Sequence, residues 1–283
     1  MAGNGISATA AGELALGDLT VRRIGFGAMR IAGEGVWGPP PDRDRAIALL
    51  RRVVELDVNL IDTADSYGPE VSETLIAEAL HPYPEGVVIA TKGGLTRDGP
   101  GSWHRDGNPR HLREACEASL RRLGLDAIDL YQLHAVDPKV PYEESVGTLA
   151  ELREEGKIRH VGISNVGVDE LEQARSIVPV VSVQNRYSVT SRDSEPVLEA
   201  CERDGLGFIP WFPLDAGALA GGAIEEVARS HGATPIQVAL AWLLQHSPAL
   251  LPIPGTSSAE HLEENVAAAA IRLTDAELAA LDS

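Results

Sequence analysis

The chain has 283 residues, 44% of them hydrophobic and 23% charged, with 28 Gly and 18 Pro. That composition supplies a full-sized core with many turns and excludes a disordered chain or a coiled coil. Its 24 Lys and Arg against 42 Asp and Glu give a formal charge of −18, and so acidic a surface repels nucleic acid and anionic membranes, leaving neither as an expected partner.

Along the chain, residues 1–12 carry no periodic pattern and are expected to be flexible. They also lack a basic region followed by an apolar run, and no later segment reaches the length of a membrane span, so an unprocessed cytoplasmic protein is expected. The segment ELALGDLTV, 13–21, sets a Gly17-Asp18 turn between apolar pairs and reads as a β-hairpin. Such a hairpin could close the bottom of a barrel. From there, short β-branched runs alternate with amphipathic stretches, the pattern of repeated βα units. The expected strands are 23–27, 59–62, 87–92, 128–134, 160–164, 180–185, 207–210 and 250–254, with helices at 43–55, 109–123, 142–155 and 195–203.

Eight parallel strands with no break in composition predict a single α/β domain over 1–283, a (β/α)8 TIM barrel with an N-terminal β-hairpin. Open doubly wound sheets usually have fewer strands. The glycine- and proline-rich loops 32–42 and 96–109 follow strands one and three and therefore fall on the C-terminal face, where barrels of this kind keep their active sites. Cys116 and Cys201 have no CxxC spacing, so neither a disulfide framework nor a metal site is expected.

Polar residues close successive strands: Asp62 in VNLIDTADSYG, with Tyr67 a turn beyond it, then Lys92, then His134. Each alone has a structural explanation. Together they supply a carboxylate, a phenol, an ammonium and an imidazole, which suits proton donation to a carbonyl oxygen. A phenol has an ordinary pKa near 10, and a neighbouring ammonium is expected to lower it, with Asp62 holding Lys92 charged. Near the C-terminus, IPGTSSAEHLEEN opens a helix at Thr256, Ser257 and Ser258, so unpaired amides and hydroxyls could bind an anion there, or Ser258 could simply be an N-cap.

With NLIDTADSYG, VVIATKGG, IDLYQLHAVD, HVGISN and IPGTSSAEHLEEN in this order, the chain resembles the aldo-keto reductases over nearly its full length. The resemblance implies hydride transfer from a reduced nicotinamide to a small-molecule carbonyl, with catalytic Asp62, Tyr67, Lys92 and His134. Tyr67 would be the general acid and His134 would orient the carbonyl oxygen. No GxGxxG opens a helix, since GFGAMR lacks the third glycine, so a Rossmann domain is not expected. By resemblance the cofactor lies across the barrel top. Ser164, Asn165 and Gln184 would hold the nicotinamide carboxamide, Trp211 would stack on the nicotinamide ring or else be a core residue, Phe212, Pro213 and Leu214 would form a pyrophosphate loop, and Ala28 and Met29 would also touch the cofactor. Thr256, Ser257, Ser258 and His261 would hold the phosphate-bearing end of NADPH, with Gly255, Glu264 and Asn265 as further cofactor contacts.

Many family members carry Lys at the place of Gly255 and Arg at that of His261, so both of those cations are missing here. NADPH is expected, with NADH open as an alternative. GFGAMRIAGEGVWGPPPDRDRAI and GATPIQVALAWLLQHSP resemble most the bacterial branch that includes pyridoxal reductases. Met29, Trp37 and Trp103 would wall a pocket suited to pyridoxal or another small aromatic aldehyde, or Trp37 and Trp103 would only pin their glycine-rich loops. Two rival readings remain at this point: a Schiff-base aldolase using Lys92, and a non-catalytic NADPH-binding regulatory subunit. Either a monomer or a small homo-oligomer is compatible with the sequence.

Overall fold

A computed structural model describes residues 5–213 and 222–282. The N-terminal hairpin forms as expected: β1, Glu13–Leu16, pairs antiparallel with β2, Leu19–Arg22, across the two-residue Gly17-Asp18 turn. Gly17 sits at φ +66, a left-handed position that suits glycine. Within 1–12, expected to be flexible, Ala8–Ala11 instead form a 3-10 turn. Ser7 caps that turn, and the Ala8 amide bonds the Leu56 carbonyl at 2.8 Å, while Ala8 and Ala11 are buried.

Seven strands then form one continuous parallel sheet in the spatial order β11-β10-β9-β8-β5-β4-β3. They are β3, Phe26–Gly27; β4, Leu60–Asp62; β5, Val88–Gly93; β8, Ile128–Leu133; β9, Ile158–Ser164; β10, Val180–Arg186; and β11, Gly207–Trp211. The short pair β6, Leu95–Thr96, and β7, His104–Arg105, makes a small antiparallel hairpin inside the loop expected at 96–109.

The eighth stave, 250–254, is present but is not a regular strand. Its residues Pro252 and Pro254 have no N–H to give to a ladder. It still closes the ring: Phe208 N bonds Ala249 O at 2.8 Å, Leu251 N bonds Phe208 O at 2.9 Å, and Gly25 N bonds Pro252 O at 2.9 Å. The chain is therefore a (β/α)8 barrel with an N-terminal hairpin.

The helices alternate with the staves: α1, Arg43–Glu55; α2, Val71–Leu80; α3, Pro109–Leu123; α4, Tyr142–Glu154; α5, Val168–Ile177; α6, Glu195–Asp204; α7, Ala223–Ser230; α8, Pro235–His246; α9, Ala259–Ala267; and α10, Asp275–Asp282. Local sequence sets their ends. Asp42 caps α1, Asn108 and Pro109 open α3, and Gly124 at φ +66 stops it. Thr234 and Gln237 form a capping box at α8 with Pro235 in its first turn.

Apolar side chains fill the space between staves and helices. A separate interior layer includes Leu60, Val88, Leu130 and Ile209 together with Leu16, Leu19 and Val21 of the hairpin. Leu16 fits against Gly207, where an added Cβ would come within 2.4 Å of Leu16 Cδ2. The hairpin thus plugs the barrel bottom and leaves the opposite, C-terminal face for chemistry. No helix among the described residues is long and apolar enough to cross a membrane, and no group of three or more His, Cys, Asp or Glu among them could hold a metal. Cys116 and Cys201 are free and buried, and burial pushes each thiol up to about 12.

Candidate active site

Consecutive staves bring Asp62, Lys92 and His134 to the C-terminal rim, and the turn after β4 returns Tyr67 to them. Lys92 is fully buried, and its Nζ donates to Asp62 Oδ1 at 2.5 Å and to the Thr63 carbonyl at 2.8 Å. Asp62 Oδ2 accepts from Gln132 Nε2 at 2.9 Å and Gln184 Nε2 at 2.8 Å. The buried ion pair therefore has its carboxylate lone pairs satisfied, the condition under which such a pair is tolerated. Lys92 Nζ stands 5.2 Å from the Tyr67 ring centroid, and the Tyr67 and His134 rings meet edge to face at 5.9 Å.

Burial acts differently on the three groups. It drags the Lys92 ammonium down, but Asp62 and Tyr67 outweigh it and leave that pKa above the ordinary lysine value. Burial lifts the Tyr67 phenol, and the lowering by Lys92 only partly offsets it, so the net direction is upward. The expectation of a lowered phenol pKa is corrected on this point: a fully desolvated phenolate costs more than one ammonium returns. His134 is pushed well below the usual imidazole value, first by burial and then by Lys92. At neutral pH, Tyr67 and His134 are both neutral hydrogen-bond donors above a charged Lys92. His134 Nδ1 is buried and has no partner among the described residues.

These groups open into a cavity of about 930 Å³ on the C-terminal face, within the usual range for ligand pockets. Of the residues expected to touch a cofactor, Met29, Ser164, Asn165, Gln184, Trp211, Phe212 and Pro213 line it, as do Gly255, Thr256, Ser257, His261, Glu264 and Asn265. Leu214 lies outside the described residues. Ala28 does not line the cavity; its side chain is in the core and its carbonyl accepts from Ser72 Oγ at 3.1 Å. Ser258 does not line it either, because it is the N-cap of α9, its hydroxyl accepting from the His261 amide.

Several polar groups on the rim are already committed to one another. Ser164 Oγ donates to the Gln184 carbonyl at 2.6 Å, Asn165 Nδ2 to the His134 carbonyl at 2.9 Å, and Trp211 Nε1 to Asn165 Oδ1 at 3.0 Å. Asn165 adopts φ +59 to make these contacts. The Gln184 Nε2 is spent on Asp62 and Gln132, which leaves Oε1 as the atom able to accept.

Of the two tryptophans expected in the pocket wall, only Trp103 is there, edge to face with Tyr67 at 6.4 Å. Trp37 does not line the cavity; it bridges to Gly68 and stands 5.8 Å from the Arg97 guanidinium. Arg97 also lies 3.6 Å over the Trp103 ring and donates to the carbonyls of Gly35, Val36, Ser66 and Gly99. It ties both glycine-rich loops together. Sequence reasoning missed Arg97, Arg30 and Gln132. Gln132 was findable: it precedes His134 by two in a strand and so faces the same side.

The chain is similar to known proteins over nearly its whole length. The aldo/keto reductase family model matches residues 23–283. An uncharacterized oxidoreductase of Schizosaccharomyces pombe is 52% identical over 283 residues, covering 99% of this chain and 92% of the relative. Pyridoxine 4-dehydrogenase of Escherichia coli strain K12 is 44% identical over 274 residues, covering 94% and 96%. Among solved structures, an aldo-keto reductase from Klebsiella pneumoniae in complex with NADPH superposes with a TM-score of 0.79 at 30% identity, over 93% of this chain and 90% of that one.

Proposed function

The chain belongs to the aldo/keto reductase family of oxidoreductases, and on that premise we propose that it reduces a small aromatic aldehyde with NADPH, Tyr67 being the proton donor. Bound NADPH supplies a hydride to the carbonyl carbon. Tyr67 gives its hydroxyl proton to the carbonyl oxygen, so that the aldehyde leaves as an alcohol. His134, kept neutral by burial, donates a hydrogen bond to the same oxygen and fixes its position. Lys92, held charged by Asp62, stabilises the phenolate that Tyr67 becomes. The observation that carries this reading is the juxtaposition of a protonated buried phenol with a buried, paired ammonium.

The cavity fits a dinucleotide in volume and chemistry. Gly27 and Gly255 leave no side chains where the ends of staves one and eight meet, and Trp211 offers a flat apolar surface beside amide and hydroxyl groups. For the substrate, Trp103 and Tyr67 form an aromatic corner in the cavity that Met29 and Leu95 also line, which favours a planar ring. Pyridoxal is the candidate suggested by the Escherichia coli relative's name. The Schiff-base reading is disfavoured, because Lys92 is fully buried, charged and hydrogen-bonded to Asp62, whereas an imine requires a free amine.

Oxidation of NADPH by the purified chain against pyridoxal, benzaldehydes and simple ketones tests the reaction and ranks substrates. Tyr67→Phe should abolish reduction while NADPH still quenches tryptophan fluorescence. Undiminished turnover in that variant would refute the proton donor.

A further inference from the structure

We infer that Arg30 is the cation that meets a phosphate of the dinucleotide, an assignment that rests on the cofactor reading above. A protein with a formal charge of −18 that binds a polyanionic ligand needs a local positive group to offset its own field. Among the described residues lining the cavity, Arg30 is the only Lys or Arg. Its side chain is exposed and makes no hydrogen bond or ion pair among the described residues. The two carboxylates on the same lining do not claim it: Asp62 is spent on Lys92, Gln132 and Gln184, and Glu264 forms no ion pair with it.

Backbone packing explains why the cation comes from position 30. A Cβ at Gly255 would lie 2.7 Å from the Gly27 carbonyl oxygen, and one at Gly27 would lie 2.6 Å from the Ile253 carbonyl oxygen. The ends of staves one and eight therefore touch, and no side chain can leave the backbone at 255 without a shift. Arg30 Cγ stands 3.9 Å from that same Cβ position. The stem of Arg30 therefore lies beside Gly255, and Arg30 lines the same cavity as Ser257 and His261. A guanidinium with no carboxylate partner has all its donors free for phosphate oxygens.

The test measures dissociation constants of NADPH and NADH by tryptophan fluorescence quenching, at low and high salt, for the full chain and for Arg30→Gln and Arg30→Lys. Arg30→Gln should weaken NADPH by about 10- to 100-fold, the range for a charged hydrogen-bonded contact. It should also flatten the salt dependence, and Arg30→Lys should recover part of the loss. If NADH binding is unchanged, the phosphate met is the 2′-phosphate; if both weaken alike, it is the pyrophosphate. Unaltered NADPH affinity and salt dependence in Arg30→Gln would overturn the assignment while leaving the cofactor reading intact. A wild-type chain that binds neither dinucleotide would overturn both.

Discussion

Replacing Lys92 by Met isolates the electrostatic half of the proposed mechanism. Methionine keeps most of the stem and removes the charge. With Lys92 Nζ 5.2 Å from the Tyr67 ring centroid, Coulomb's law at an effective dielectric constant of about 20 gives an attraction of roughly 3 kcal/mol between the ammonium and a phenolate. Losing that much transition-state stabilisation slows reduction by about 200-fold. The alkaline limb of the pH profile should also move to higher pH, since Lys92 pulls the Tyr67 pKa down and its removal lets burial act alone. The assay is steady-state oxidation of NADPH with a benzaldehyde substrate, alongside the NADPH dissociation constant and a thermal melt. Asp62 keeps the Gln132 and Gln184 amides, so the variant should fold with reduced stability. A kcat within about threefold of wild type, in a folded variant that binds NADPH normally, would refute the role given to Lys92.

Arg97→Ala frees both loops at the pocket mouth, because its guanidinium stacks on Trp103 and holds four carbonyls. The expected result is about a tenfold rise in KM for aromatic aldehydes with NADPH affinity unchanged; an unchanged KM would remove Trp103 from the substrate wall. Asp65 predicts a pH effect on stability. Burial, then Glu73, lifts its carboxyl from 3.8 to about 8, so the folded state retains a proton that the unfolded chain releases. Its stabilising contribution is complete below pH 3.8 and is lost as the pH rises to about 8, by a few kcal/mol in all. Asp65→Asn should remove that slope, and denaturant titrations of both proteins at about pH 5 and about pH 9 would show it. Parallel slopes in the two proteins would contradict the buried, protonated state of Asp65.

The barrel is legible in the sequence because each stave is a short apolar run flanked by turn residues, and the Gly17-Asp18 turn marks the plug. The eighth stave shows where that legibility ends. Its apolar pattern is a strand's, but Pro252 and Pro254 remove ladder donors, and only the hydrogen bonds to Phe208 and Gly25 reveal that it closes the ring. At the site, the positions of Asp62, Tyr67, Lys92 and His134 follow from strand ends, whereas the direction of the Tyr67 shift does not. Charge neighbours can be read from spacing, but depth of burial is a property of the assembled fold. Trp37 and Trp103 look equivalent in their glycine-rich loops; the difference between pinning a loop and facing the cavity depends on Arg97, which no local pattern singles out. Ser257 and Ser258 differ by one helical position, enough to make one a lining residue and the other a cap.

The same burial that favours the neutral forms of Tyr67 and His134 is what suits the cavity to the proposed chemistry. An aldehyde carbonyl is neutral before reduction, and negative charge grows on its oxygen only as hydride arrives. A site exposing bare cations would bind anions in the ground state and gain little from the reaction. Here the groups nearest the expected oxygen, Tyr67 and His134, are neutral donors, and the full positive charge lies one layer deeper on Lys92, bonded to Asp62. Their interaction with the oxygen therefore strengthens as charge develops, and the proton that leaves Tyr67 creates the anion that Lys92 is already placed to face. Exposed Arg30, on the side of the ring formed by staves one and eight, can then serve binding without disturbing that neutrality.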